Sequence, residues 1–261
     1  MAPVMGPTLG PINGAAVTQY LSWHWIFYIM SMLATVVLVM SLFLLRETYM
    51  PVLQKRQQTA ASSDMLAKPS MAQKLTALAT TLAGKLKRPL RMLFAQPVIQ
   101  LLALYVAYLY GVMYLVLSTF PTLWTVQYHQ SIFIGGLDYI ALGLGYIIGS
   151  QICALSLDRI YRHLKRRNGD LGLPEYRLPL ALVSTVLVPV GLVVYAWSAD
   201  YQSIWVVVDL GAGIFSAGAI IGMQCVTTYV VDAYSQYTAS AIGAITQLRG
   251  LAGFALPLAG P

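Results

Sequence analysis

Seven long apolar stretches, held apart by two basic segments, limit what this chain can fold into more than any other feature. The stretches run over 3–20, 25–45, 98–118, 131–157, 178–197, 203–231 and 238–260. A hydrocarbon core of about 30 Å is crossed by about 20 residues of helix. Inside it the backbone must satisfy its own hydrogen bonds, which a helix does. Hydrophobic residues make up 58% of the chain and charged ones only 10%, against roughly 25% charge in soluble domains. The fold class is therefore all-α: a polytopic bundle of about seven transmembrane helices, the first stretch being barely long enough to span.

The net charge of +7 raises the question of nucleic acid, and its placement answers it. Fifteen of the sixteen Lys and Arg residues lie in 46–91 and 159–177. Basic loops between apolar runs follow the positive-inside rule, so 46–96 and 158–177 are predicted inside. The aromatic segment 119–130, which lacks Lys and Arg, is predicted outside. A seven-helix receptor is disfavoured, because its inner loops follow spans one, three and five. Here they follow spans two and four. Within the long loop, Met71–Phe94 reads equally as a surface helix on anionic lipid or as a flexible linker with basic flanks.

Cys153 and Cys225 both lie in apolar runs, so neither a disulfide framework nor a metal site is indicated. His24, His129 and His163 are placed in loops, which leaves no histidine relay within the bilayer. No G-x-S-x-G, phosphate loop or metal-ligand spacing occurs, and no cofactor is implied. The chain does not read as an enzyme.

The first fourteen residues, MAPVMGPTLGPING, place Gly6, Gly10 and Gly14 at four-residue spacing, with Pro3, Pro7 and Pro11 in the same rhythm. Such glycines form one helix face along which another backbone can come close. A packed, bent helix and a Gly/Pro-rich coil are both compatible with the pattern. The span 131–157 carries a second glycine series, Gly143, Gly145 and Gly149. The two faces are expected to pack together, Gly6, Gly10, Pro11 and Gly14 against Gly145 and Gly149.

The segment GPTLGPINGA resembles the glycine-proline signature on the fifth span of antiporters in the major facilitator superfamily. It departs from the usual Gly-Gly ending, reading Asn13-Gly14-Ala15. Arg46-Glu-Thr48, Gln96-Pro97, Thr119-Phe-Pro121, Gly135-Gly-Leu-Asp-Tyr139, Leu142-Gly-Leu-Gly145, Tyr229-Val-Val-Asp-Ala-Tyr234 and Leu248-Arg-Gly-Leu-Ala-Gly-Phe254 extend the likeness in order. Together they resemble the fungal twelve-span branch of drug:proton antiporters. That resemblance implies a partial facilitator fold covering spans five to eleven. Residues 1–45 would be the last two spans of the N-terminal half, 46–96 the cytoplasmic linker, and 97–261 the C-terminal half without its final span. It also implies a plasma-membrane exporter of small amphipathic organic molecules coupled to protons, with lipid around it. The alternatives are a truncated remnant that transports nothing, or a receptor or membrane enzyme.

Asp158, Arg159 and Arg162 match the Asp-Arg-x-Gly-Arg loop of the superfamily, with Tyr161 in the glycine place. An Asp there can latch an inner gate through an Arg or a helix N-terminus; a solvated cluster is the other reading. Lys165, Arg166 and Arg167 read as solvated. Arg249 lies eleven residues into its span, about 16 Å deep at ~1.5 Å per residue. An ionised group at that depth is a functional candidate by default, unless it only binds backbone carbonyls in a helix crossing. Asp138 lies about 10 Å in from the other face by the same rise. Asp209 reads as an interfacial or water-exposed acid. Tyr105 and Tyr108 share one helix face, and Tyr110 and Tyr114 roughly the opposite one. Either pair can stack on apolar cations or aromatic compounds. The resemblance places the helices bearing Tyr105 and Gln224 on the central cavity, which makes Tyr105, Tyr108, Asp138, Gln224 and Arg249 candidates for a substrate or proton pathway. Without a second half, Gln224 and Arg249 are expected to lack partners, at a few kcal/mol each. Misassembly of the isolated chain is then expected, and no transport.

Overall fold

The computed structural model describes residues 2–44, 50, 53, 54 and 88–259. Arg46-Glu-Thr48 and most of the Met71–Phe94 expectation lie outside the described residues.

Among the described residues the elements are all helical. They are α1 (Ala2–Tyr20), α2 (His24–Leu44), α3 (Pro97–Thr122), α4 (Ile132–Leu137), α5 (Tyr139–Arg167), α6 (Pro179–Asp200), α7 (Trp205–Ala233) and α8 (Thr238–Leu258). A π-helical turn, Leu123–Gln127, extends α3, and a 3-10 turn, Pro174–Arg177, precedes α6. Among the described residues, six helices are long and apolar enough to cross a membrane: α2, α3 with its π turn, α4 with α5, α6 with the 3-10 turn, α7 and α8. The chain is an integral, multi-pass membrane protein. The seventh stretch, α1, is helical but not among the six. Its prolines and glycines, with Asn13 and Gln19, dilute its hydropathy.

The chain divides into two units, Met1–Tyr20 with Lys87–Pro261, and Leu21–Leu86. In the second, α2 has a mean hydropathy of 2.4 and no buried residue. A helix apolar on every side and without a buried residue is suited to lipid.

In the first unit the most extensive pairings are α6 with α7, α3 with α8, and α5 with α7. Glycines set how closely these backbones approach. A Cβ at Gly191 or Gly211 would strike the backbone of Phe215 or Tyr195 across α6–α7. One at Gly145 would strike the Gly213 carbonyl and the Ser216 hydroxyl, and one at Gly149 the Ala217 backbone. Two hydrogen bonds cross that α5–α7 seam: Ser216 Oγ donates to the Leu142 carbonyl at 2.9 Å, and Gln224 Nε2 to Ser150 Oγ at 3.1 Å. Cys153 and Cys225 are buried in it as free thiols.

The glycine-to-glycine packing expected between α1 and the fourth apolar stretch is not observed. The helix does lie against α4 and α5, but through its other side: Thr8 rests on Gly143 and Ala15 on Gly136. Gln19 Oε1 accepts the Phe133 N–H at 2.7 Å, satisfying a free donor at the start of α4. Gly6, Gly10 and Gly14 have no atom within 4 Å of where a Cβ would stand. Gly145 and Gly149 are already occupied by α7, so they cannot receive α1.

Two helix boundaries also differ from expectation. The stretch 131–157 is broken at Asp138, which ends α4 and begins α5 with helical φ −62 and ψ −19. Beyond Leu157, α5 continues to Arg167. Asp158, Arg159, Arg162 and His163 therefore stand on helix turns, not in a loop. Residues 88–95 form a short helix, with the Arg88 guanidinium 4.0 Å above the Tyr237 ring.

Candidate functional site

At the basic end of the first unit, one arginine gathers two acids. Arg177, on the 3-10 turn, donates from Nη1 to Asp158 Oδ1 at 3.1 Å and from Nε to Asp232 Oδ2 at 2.5 Å. Its guanidinium also lies 4.8 Å from the Tyr161 ring centroid. The Arg177 side chain is only 17% exposed, while Asp158 is 67% exposed. A planar guanidinium with a rigid fork of donors suits such bridging. The ends of α5 and α7 and the entry to α6 are thereby tied together. Arg162 does not join the cluster; its Nε donates to the carbonyl of Asp158, 3.2 Å away on the same helix. Arg159 is exposed.

Sequence reasoning named Asp158 but missed Arg177 and the role of Asp232. The available signal was slight: Arg177 stands apart from the Arg/Lys run, directly before an apolar stretch.

Midway along the α3–α8 pairing, Arg249 lies 4.5 Å above the Tyr110 ring. Tyr110 packs on Tyr114, with ring centroids 4.8 Å apart, and its hydroxyl donates to Tyr114 at 3.3 Å. Gly253 leaves room for both rings. A cation over an aromatic face gains about 0.5–2 kcal/mol, more as water is excluded. Arg249 has no carboxylate within ion-pair distance among the described residues.

The other tyrosine pair divides. Tyr105 donates to Ser184 Oγ at 3.0 Å and faces the bundle interior, whereas Tyr108 is half exposed. Gln224 is engaged with Ser150 in the α5–α7 seam. Gln224 is thus hydrogen-bonded and Arg249 has an aromatic partner within this chain, contrary to the expectation that both would lack one.

At the opposite end, Asp138 is buried and its Oδ2 receives no hydrogen bond. Asp209, expected to be interfacial or water-exposed, also has a buried oxygen without a partner. It starts the second turn of α7, one turn after Trp205, and is partly buried in a groove it lines with Ala141 and Leu144 of α5. No group of three or more His, Cys, Asp or Glu able to hold a metal occurs among the described residues.

A family model described as Major Facilitator Superfamily matches residues 2–257. The chain belongs to that superfamily. Among the facilitators it resembles is the MFS-type transporter oryF of Aspergillus oryzae, 40% identical over all of this chain and 54% of the relative. The efflux pump vrtL of Penicillium aethiopicum is 40% identical over 97% of the chain and 52% of its own length. An uncharacterized transporter of Schizosaccharomyces pombe is 38% identical over the whole chain and 54% of its own length. The chain spans about half the length of these curated relatives. No solved structure matches it.

Proposed function

We propose that these residues are part of a proton-coupled exporter of small amphipathic organic molecules, an antiporter of the plasma membrane that works by alternating access. The observation that carries the reading is the similarity of nearly all of this chain to about half of facilitators named transporter and efflux pump. In such proteins, two halves rock about a site near the midplane. In this proposal 1–45 belongs to one half, 46–96 is the cytoplasmic linker, and 97–261 belongs to the other half.

The geometry supports two roles. Arg177, bridging Asp158 and Asp232, is the latch of the inner end of this half: it clamps three helix ends so that they move together when the inner side opens. Arg249 over Tyr110 and Tyr114 is the substrate contact, offering a charge for an anionic group and aromatic faces for a planar one. Tyr105 and Gln224, each committed to a hydrogen bond inside the bundle, position helices instead.

The test is a chimera in which residues 1–261 replace the matching part of the Aspergillus oryzae relative. Energised cells carrying it are expected to export a hydrophobic dye. Arg249→Ala is expected to reduce export about tenfold, the scale of one lost charge-assisted contact. Export by the unsubstituted chimera that survives collapse of the proton gradient would refute the antiport reading. Residues 1–261 alone, spanning about half of their relatives, are expected to move no dye in proteoliposomes. Saturable movement there would overturn the two-half account.

A further inference from the structure

At the end of the bundle opposite Arg177, three side chains, each with an oxygen acceptor that has no donor among the described residues, line one cavity. Asp138, Asp209 and Gln130 line an open cavity of about 500 Å³, with Leu137, Leu144 and Trp205 forming its apolar wall. Asp138 is 9% exposed, and its Oδ2 is buried without a hydrogen bond. Asp209 Oδ1 and Gln130 Oε1 are buried and unpartnered as well.

The fold holds these oxygens in place. Asp138 sits at the α4–α5 break, its N–H bonded to the Ile134 carbonyl and its own carbonyl accepting from the Ala141 N–H. Asp209 projects from the facing side of the α5–α7 seam. Gln130 comes from the connection after the π turn, where its N–H donates to the Trp124 carbonyl at 3.0 Å. Trp124 Nε1, an unpaired donor on that turn, is not part of the cavity wall. The wall also contains no Lys, Arg or His.

The chemistry of what fits follows from the wall. Carboxylate oxygens and an amide oxygen only accept. Leaving a buried anion unpaired is costly, so the complement carries positive charge. Three separate acceptors call for several N–H donors on one centre. The Trp205 ring and the two leucines offer a face for an apolar body and for cation–π contact. A primary ammonium on an aromatic or aliphatic body meets all of these requirements. A quaternary ammonium supplies charge but no N–H, and an alkali cation supplies charge but covers no apolar wall.

We propose that this cavity is a binding site for protonated primary amines. The proposal goes beyond the transport reading and needs no transport to be tested.

The experiment is titration calorimetry on the full chain, residues 1–261, in detergent micelles at neutral pH. The probe is 2-phenylethylammonium, compared with its N,N,N-trimethyl analogue and with sodium. Saturable one-to-one binding of the primary amine is expected, with the trimethyl analogue about tenfold weaker, the scale of its lost charge-assisted hydrogen bonds. Asp138→Asn and Asp209→Asn are each expected to weaken the amine about tenfold or more. Gln130→Leu should weaken it about threefold, as loss of one neutral acceptor does. Arg166→Ala, exposed on the last turn of α5, is expected to leave it unchanged. Equal binding of the two amines, displacement by equimolar sodium, or undiminished binding in both Asn variants overturns the proposal. So does an absence of saturable binding. If an Asn variant loses its fold, the comparison of amines on the unsubstituted chain and the Gln130→Leu result still decide.

Discussion

The helices α5 and α7 each carry an acid toward both ends, and the two pairs meet opposite fates. Toward the basic end, Asp158 and Asp232 share Arg177 and sit partly in solvent. Toward the other end, Asp138 and Asp209 face a common cavity, each with a buried oxygen that no donor among the described residues reaches. The same seam thus presents one completed charge cluster and one incomplete one. The difference lies in a single side chain, Arg177, brought in by the turn before α6. A completed cluster holds helix ends together; an incomplete one is a demand for a ligand. Breaking the seam, then each end in turn, sharpens that contrast.

The largest effect is expected where both ends depend on one contact. Gly149→Leu drives a side chain into the Ala217 backbone and should cost about 3 kcal/mol or more, as forced overpacking does. Thermal unfolding of the purified chain in detergent, with size-exclusion profiles, reads this. Gly10→Leu, on the open face of α1, should stay within about 0.5 kcal/mol. Similar losses in the two variants would show that α1's glycine face is packed after all.

Next in size is removal of the bridge. Arg177→Ala leaves two carboxylates facing each other and should lower stability by about 1–2 kcal/mol, more than a single surface pair and less than a fully buried one. Arg177→Lys, which keeps the charge but loses the fork, should recover part of it. A smaller change is expected from Asp158→Asn, since Asp158 is 67% exposed and Arg177 retains Asp232; about 0.5 kcal/mol is the scale of such pairs.

Much of the fold was legible because the length of an apolar run is itself the constraint. The spans at 25–45, 178–197 and 203–231 fall on helices of nearly the expected extent, whereas that at 98–118 runs on to Thr122 and through the π turn to Gln127, into the segment expected to be a loop. Partnerships were far less legible. A four-spaced glycine face says that something comes close and not what, so the glycines of α1 were matched to Gly145 and Gly149, which α7 occupies. The Asp158 cluster was read from adjacent positives, Arg159 and Arg162, whereas its partner stands nineteen residues on, across a turn. The amine cavity draws on the connection after α3, the α4–α5 break and α7. No local pattern in the sequence joins those three.

The central claim is that the acids at the two ends of the α5–α7 seam are energetically opposite. The most direct measurement is the thermal unfolding of Asp232→Asn against Asp138→Asn, in the same detergent, at neutral pH and without amine. Asp232→Asn removes an accepting partner of Arg177 and should lower stability by about 1 kcal/mol. Asp138→Asn removes an unpaired buried charge and should raise it by about 1 kcal/mol. Shifts of opposite sign are the predicted result, and shifts of the same sign would contradict the account.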